Sequence, residues 1–134
     1  MTMDDDTTRT STELIAVDDA ASTLPTIEQA SIQVARSAKF VTAYARAGHA
    51  DQPLVIVTVE DDRGYQLARS TYATNIDPRR VCEHVLAHSR LERCSQYRPH
   101  PAYRETRVQA LISARPSVKL SAYERLRQQG RAVA

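Results

Sequence analysis

The segment VCEHVLAHSRLERC, residues 81–94, contains both cysteines of the chain and two of its four histidines. Thiolate and imidazole groups are the usual ligands of zinc, and two histidines four residues apart on a helix can bind one ion. His84 and His88 have this spacing, and Glu92 continues the same side of the helix. A metal-dependent enzyme that uses His84 and His88 is therefore one hypothesis for this chain.

Helix geometry separates the cysteines from this histidine pair. Because successive residues turn by roughly 100° around a helix, Cys82 points about 160° away from His84 and lies on the apolar side, next to Val85. Cys94 diverges again, unless the helix has ended before it. We therefore interpret Cys82 as a buried apolar residue and the two histidines as residues at the edge of the core. No metal or other cofactor is predicted.

Other sequence patterns of catalysis are missing from the chain. Its three glycines are too few for a Gly-rich loop that binds phosphate. The acidic run at residues 60–62 could bind a divalent cation, but neither lysine lies near it in the sequence. We interpret this run as the solvated turn of a hairpin, expect no catalytic residues, and favour a non-enzymatic protein.

Aromatic and basic residues alternate in the segment YRPHPAYR, residues 97–104. Arginine contacts phosphate through paired hydrogen bonds, and tyrosine or arginine planes stack on bases, so this composition is typical of a nucleic-acid contact. Further basic residues follow towards the C-terminus. The candidate residues for binding nucleic acid or another partner are Tyr97, Arg98, His100, Tyr103, Arg104, Arg107, Arg115, Lys119, Arg125 and Arg127.

Charge is distributed unevenly along the chain, although the net charge is only +2. Acidic residues predominate in residues 1–62, and basic residues predominate in residues 79–134. A basic half of this kind predicts binding to nucleic acid or to an acidic protein surface. We expect a small regulator or accessory protein that contacts nucleic acid. The alternative is a protein interaction module, or a subunit of a larger assembly, in which the opposite-charge halves of two copies dock to form a homo-oligomer.

A long N-terminal helix is the first element that the sequence predicts. The segment Thr26–Gln29 has the form of a capping box, which is typical of a helix start. Val34 and Val41 recur with several alanines at helical spacing, and Gly48 provides a natural end. We therefore expect a helix over about 27–47.

A β-hairpin is expected next. The run LVIVTVE at about 54–60 is β-branched and nearly all apolar, and the segment YQLARSTY at about 65–72 follows it after a turn that contains Gly64. The second strand has a half-exposed face. We therefore place it nearer the edge of the sheet.

Two or three helices are expected after the hairpin. Asp77 and Pro78 have the residue types of an N-cap and a first helical position, and the helix that they begin should run to about Arg93. Residues 105–114 fit a strand or a helix, and their composition favours a helix. A capping box and a glycine delimit a further short helix at 121–130.

The predicted fold is thus a single small α+β domain over residues 23–134, with a basic, helical C-terminal part at about 97–134. Residues 1–22 are rich in Thr, Ser and Asp, and we expect an acidic, disordered tail. The apolar island at 14–17 is counted as part of this tail, and its docking as a short strand is the less favoured alternative.

The sequence also predicts the cellular location of the protein. No run approaches the roughly 18 apolar residues that cross a bilayer, and the acidic N-terminus lacks the apolar core of a signal peptide. Two cysteines do not suggest a disulfide framework. We therefore expect a cytoplasmic protein without a membrane partner.

Overall fold

The computed structural model describes residues 14–17 and 23–116 of the 134-residue chain. This part is mostly a seven-stranded antiparallel sheet with the strand order β1-β4-β3-β2-β7-β5, and β6 also pairs with β7. The strands are β1 (Ile15–Ala16), β2 (Phe40–Ala47), β3 (Pro53–Glu60), β4 (Gln66–Ala73), β5 (Leu91–Arg93), β6 (Arg98–Pro99) and β7 (Arg107–Ala114). The helices of the described residues are α1 (Ile32–Ser37), α2 (Pro78–Ala87) and one 3-10 turn (His49–Asp51).

The hairpin predicted at 54–60 and 65–72 is confirmed as β3 and β4. Its turn is closed by Asp61, whose Oδ1 atom accepts the backbone N–H groups of Arg63 and Tyr65 at 2.9 Å each. Gly64 has a φ of 89°, a backbone conformation that L side chains rarely adopt. Among the described residues, the second strand of the hairpin has only the two-residue β1 outside it, as the half-exposed pattern indicated.

The long helix predicted over 27–47 is wrong. The Thr26 hydroxyl does accept the N–H of Gln29, but no helix continues from that bond. The short α1 begins instead after Ser31, whose Oγ atom accepts the N–H of Val34. From Phe40 the chain is the strand β2, because β3 and β7 flank it and satisfy its backbone groups on both edges.

The helix predicted over 105–114 is also wrong, because these residues contain β7. This strand pairs with β2 along one edge and with β5 and β6 along the other. The alternation of Val108, Ala110 and Ile112 therefore reflects the period of a strand. The α+β arrangement of one hairpin with several helices is corrected to a large sheet with two short helices among the described residues.

The helix α2 begins at Pro78 as predicted but ends at Ala87, well before Arg93. Ser89 reverses the chain, because its hydroxyl donates to the carbonyl of Leu86 and accepts the N–H of Leu91. The residues that follow form β5.

Both helices lie on one face of the sheet and close the apolar core there. Cys82 is fully buried on α2, which confirms its prediction as a buried apolar residue, whereas His84 and His88 are exposed rather than at the edge of the core. The core residues are Ile27, Ala30, Ala35, Ala38, Val41, Ala43, Val55, Val57, Val59, Ala68, Tyr72, Val81, Cys82, Val85, Leu86, Leu91, Ala110, Ile112 and Ala114. None of the helices in the described part is long and apolar enough to cross a membrane.

The opposite face of the sheet carries polar side chains in its middle strands. Thr42 and Thr58 face each other across β2 and β3, and their hydroxyls donate to the two carboxylate oxygens of Glu60 at 3.1 and 3.0 Å. The Gln109 amide donates to Thr42 from β7 at 3.5 Å. We call this side the polar face; it also carries the candidate site.

The predicted tail and the C-terminal part are described only in places. The prediction of a disordered tail is wrong at the apolar island, because Ile15 and Ala16 form a strand that pairs with β4. The rest of the tail lies outside the described residues, as does the helix predicted at 121–130. Residues 97–114 form a loop and two strands, so the expected helical character of the basic segment is wrong there.

Candidate functional site

Five of the ten candidate residues lie on one hairpin formed by β6, β7 and the loop 100–106 between them. Arg98 pairs with Gln109, and the N–H of His100 donates to the carbonyl of Arg107 at 2.9 Å. Within the loop, the Nδ1 atom of His100 accepts the N–H groups of Ala102 and Tyr103. This basic hairpin therefore holds its loop by local hydrogen bonds. Its candidate residues are Arg98, His100, Tyr103, Arg104 and Arg107.

The side chain of Arg107 lies between two tyrosine rings. Its guanidinium carbon is 4.0 Å from the ring centroid of Tyr44 and 4.0 Å from that of Tyr103. Tyr44 reaches it because the two residues are directly opposite in the pairing of β2 with β7. His100 adds a third ring, whose centroid lies 5.4 Å from that of Tyr103. We call Tyr44, Arg107 and Tyr103 the tyrosine–arginine stack.

The stack leaves its polar edges available. The Tyr103 side chain is 51% exposed. Within the described part of the chain, the guanidinium groups of Arg98, Arg104 and Arg107 make no hydrogen bond or ion pair. A guanidinium stacked on aromatic faces keeps its in-plane N–H donors directed outwards. The hairpin can therefore offer phosphate donors and an aromatic surface at the same place.

Tyr97 lies on the other side of the sheet, against α2. Its hydroxyl donates to the Glu83 carboxylate, which also accepts the Nε–H of Arg93 at 2.7 Å. Burial raises the pKa of the Tyr97 phenol well above its ordinary range, and it raises the pKa of the neighbouring Cys82 thiol to about 12. Burial acts to raise the pKa of Glu83 as well, but the hydrogen bonds from Tyr97 and Arg93 outweigh it and lower that pKa. This cluster joins α2 to the strand that follows it.

Arg115 has a structural position too. Its guanidinium donates to the carbonyl of Ser89 at 3.0 Å and to that of Leu86 at 2.8 Å. Leu86 belongs to the last turn of α2 and Ser89 follows the helix, a region where backbone acceptors lack helical partners. Arg115 therefore satisfies the helix end rather than joining the basic hairpin. Lys119, Arg125 and Arg127 lie outside the described residues.

Sequence reasoning missed Tyr44, which lies in the range assigned to a helix. The available signal was the period of two in Thr42, Tyr44 and Arg46, which alternate with the apolar Val41, Ala43 and Ala45. Read as a strand, this pattern places Tyr44 and Arg46 on one face. The pairing partner Arg107 could not be inferred from it.

His84 and His88 lie close together, with their ring centroids 4.8 Å apart and the rings edge to face. His88 is the C-cap of α2. No group of three His, Cys, Asp or Glu side chains converges within the described ranges 14–17 and 23–116. Within these ranges, the pair therefore has no third protein ligand of the kind that zinc sites have.

Comparison of the chain with known protein families finds no match, and comparisons with characterised proteins and with solved structures find none either.

Proposed function

We propose that this protein is a non-enzymatic regulator or accessory factor that binds single-stranded nucleic acid on the basic hairpin. The observation that carries this proposal is Arg107 held between the rings of Tyr44 and Tyr103. Fixing a guanidinium in this way lowers the side-chain entropy that is lost when it binds a phosphate. The exposed ring of Tyr103 is available to a base.

A single strand fits this surface better than a duplex does. Bases in a duplex are stacked on one another, and their faces are closed to protein side chains. An aromatic ring on a sheet can stack only on an unpaired base, whereas phosphate contacts serve both kinds of strand. Charge supports binding as well, because Arg98, Arg104 and Arg107 outnumber Glu105, the one acidic residue between positions 98 and 114.

The test is fluorescence anisotropy with labelled single strands of about twelve nucleotides, a length within the usual range of single-strand sites. DNA, RNA and duplex probes are compared across salt concentrations from about 50 to 500 mM. We expect the single strands to bind more tightly than the duplex, with an affinity that falls as salt rises. Arg107→Ala should weaken binding about tenfold or more, because it removes both a phosphate donor and the centre of the stack.

Arg80→Ala is the matched control, because Arg80 is exposed on α2, on the helical side of the sheet. It removes the same charge but should leave the affinity nearly unchanged. Equal losses for the two variants would mean that only net charge matters, and the site would be wrong. Binding that is absent for every probe at low salt would contradict the function itself. Cytoplasmic location stays a prediction from the sequence.

A further inference from the structure

The side chain of His100 holds the loop of the basic hairpin from within. Its Nδ1 atom accepts the backbone N–H of Ala102 at 3.0 Å and that of Tyr103 at 3.3 Å. The N–H of His100 itself donates to the carbonyl of Arg107, which ties the histidine to β7. Asparagine and aspartate commonly hold turns in this way, through a side-chain oxygen that accepts N–H groups two or three residues further on. In this loop a ring nitrogen has the same role.

These hydrogen bonds place Tyr103 against Arg107. The Tyr103 N–H donates to His100, and the Tyr103 carbonyl accepts the N–H groups of Thr106 at 3.2 Å and Arg107 at 2.9 Å. The His100 ring also lies beside the Tyr103 ring, with the two centroids 5.4 Å apart. The backbone of Tyr103 is therefore fixed by His100 on one side and by the start of β7 on the other.

Only the neutral imidazole of His100 can hold the loop. A ring nitrogen that accepts N–H groups carries a free lone pair, so the ring proton is on Nε2. Protonation adds a second N–H at Nδ1, and this donor would face the N–H groups of Ala102 and Tyr103. His100 is only half-buried, so protons from solvent can reach it. Both hydrogen bonds are lost when the ring takes up the proton.

A pH range exists in which histidine is the group that responds. Histidine ordinarily changes its charge between about pH 7.5 and 5.5, whereas arginine, tyrosine and glutamate side chains keep theirs. The other charged and titratable residues of the basic hairpin, and of the stretch of β2 opposite it, are Tyr44, Arg46, Arg98, Tyr103, Arg104, Glu105 and Arg107. Within this surface, a titration over that range therefore addresses His100.

We propose that His100 is a pH-sensitive switch for binding of the single strand: the neutral ring keeps Tyr103 in the tyrosine–arginine stack, and protonation releases the loop and weakens binding. The inference rests on the proposed function. The added positive charge acts in the opposite direction, because it attracts phosphate, but at about 150 mM salt the Debye length is only about 8 Å. Base stacking contributes at least about fivefold per base. The loss of stacking therefore outweighs the gain in charge.

The first test needs no nucleic acid. Heteronuclear NMR spectra of the full-length protein follow the backbone amide signals of Ala102 and Tyr103 from about pH 7.5 to about pH 5.5. Both signals should move with one common midpoint, because both N–H groups lose the same acceptor. In His100→Asn they should stay constant, since the asparagine oxygen accepts the same N–H groups and does not titrate. Constant signals in the unmodified protein would overturn the switch.

The second test is fluorescence anisotropy with a single strand of about twelve nucleotides at about 150 mM salt. The unmodified protein should bind about fivefold more weakly at about pH 5.5 than at about pH 7.5. His100→Asn should match the unmodified protein at the higher pH and keep that affinity at the lower one. The matched control His49→Asn makes the same change at an exposed histidine in the turn after β2, and it should keep the pH dependence.

The outcomes separate this inference from the function on which it rests. Affinity that is equal at the two pH values, or that rises in acid, would overturn the switch while the proposed function stands. The unmodified protein alone decides this point, so no variant has to fold. A loss of affinity in acid that persists in His100→Asn would assign the effect to another group and overturn the switch as well. If the strand binds at neither pH, the proposed function fails, and the switch in binding fails with it even where the amide signals move.

Discussion

Tyr103 and Arg98 lie on the same hairpin but should affect binding through different terms of the free energy. Tyr103→Ala removes a stacking surface, so we expect roughly tenfold weaker binding with the same dependence on salt. Arg98→Ala removes a phosphate contact, so the slope of log affinity against log salt should become shallower by about one. Anisotropy titrations at several salt concentrations measure both quantities. A change of slope with Tyr103→Ala would contradict the assigned roles.

Asp77 links the stability of α2 to pH. Its Oδ1 atom accepts the N–H of Arg79 at 2.8 Å, and the side-chain hydrogen bond from Arg79 is the main cause that lowers the pKa of its carboxyl. Because the folded pKa is below the unfolded one, the carboxylate stabilises the fold above the ordinary pKa of 3.8, and this contribution is lost as pH falls through the folded value. Asp77→Ala should therefore cost about 1 kcal/mol at neutral pH and less in acid.

Urea unfolding at neutral pH and at about pH 3 measures this difference. Asp77→Asn is the control, because asparagine caps a helix without a titrating group, so the free energy of unfolding should change little at neutral pH. A deficit of Asp77→Ala that is the same at both pH values would rule out the carboxylate as its source.

Part of the site could be predicted at the residue level. The candidate residues of the basic hairpin are close in sequence, so composition alone grouped Arg98, His100, Tyr103 and Arg104 in one segment. Tyr44 could not be joined to Arg107 in this way, because their contact depends on the register between β2 and β7. Tyr97 and Arg115 have the expected residue types, but the structure assigns both to packing around α2.

The turn between β3 and β4 gives a prediction at the level of elements. Nothing lies within 4 Å of a Cβ atom added at Gly64, so space is not what requires glycine there. The φ of 89° is the constraint, and Gly64→Ala should lower the free energy of unfolding by about 1 kcal/mol through backbone strain. Gly64→Asn should cost less, since asparagine tolerates positive φ better. Urea denaturation checks this order, and a larger loss with asparagine would contradict it.

The errors at the level of elements have a common physical cause. The segments 27–47 and 105–114 contain alanines and residues with high helix propensity, and local spacing favours a helix in both. Yet β2 and β7 are partners in the sheet, and each pairs with one edge of the other, so neither is a strand by local preference alone. The β3–β4 hairpin was predictable because its two strands adjoin in sequence and its turn residues are distinctive.

The acidic residues of the N-terminal segment should affect the nucleic-acid affinity of the whole molecule. Asp4, Asp5 and Asp6 lie outside the described residues, and by charge they should compete with nucleic acid for the basic hairpin. The triple variant with asparagine at these positions should bind a single strand severalfold more tightly at about 50 mM salt, and match the unmodified protein at about 500 mM. Anisotropy measures this effect. Equal affinities at low salt would show that these residues do not compete.

The alternative function, assembly of copies through their opposite charges, is tested on the unmodified protein and on the triple variant. Light scattering at about 50 and 500 mM salt spans Debye lengths of about 14 and 4 Å. If the protein is an oligomer that dissociates at high salt without nucleic acid, and the triple variant is monomeric at both salts, the charged halves dock between copies. A monomer throughout is the result that the nucleic-acid proposal expects.

The place of β2 in the sheet has a consequence for how the chain folds during synthesis. On one edge of β2, Thr42 pairs with Thr58 of the next strand in sequence. On the other edge it pairs with Gln109, which is synthesised much later. Until residues 107–114 leave the ribosome, β2 is therefore an open edge with unpaired N–H and carbonyl groups. In that interval the nascent chain is most prone to pair with another copy. The extent of aggregation during expression should therefore increase with the time between the synthesis of β2 and the synthesis of β7.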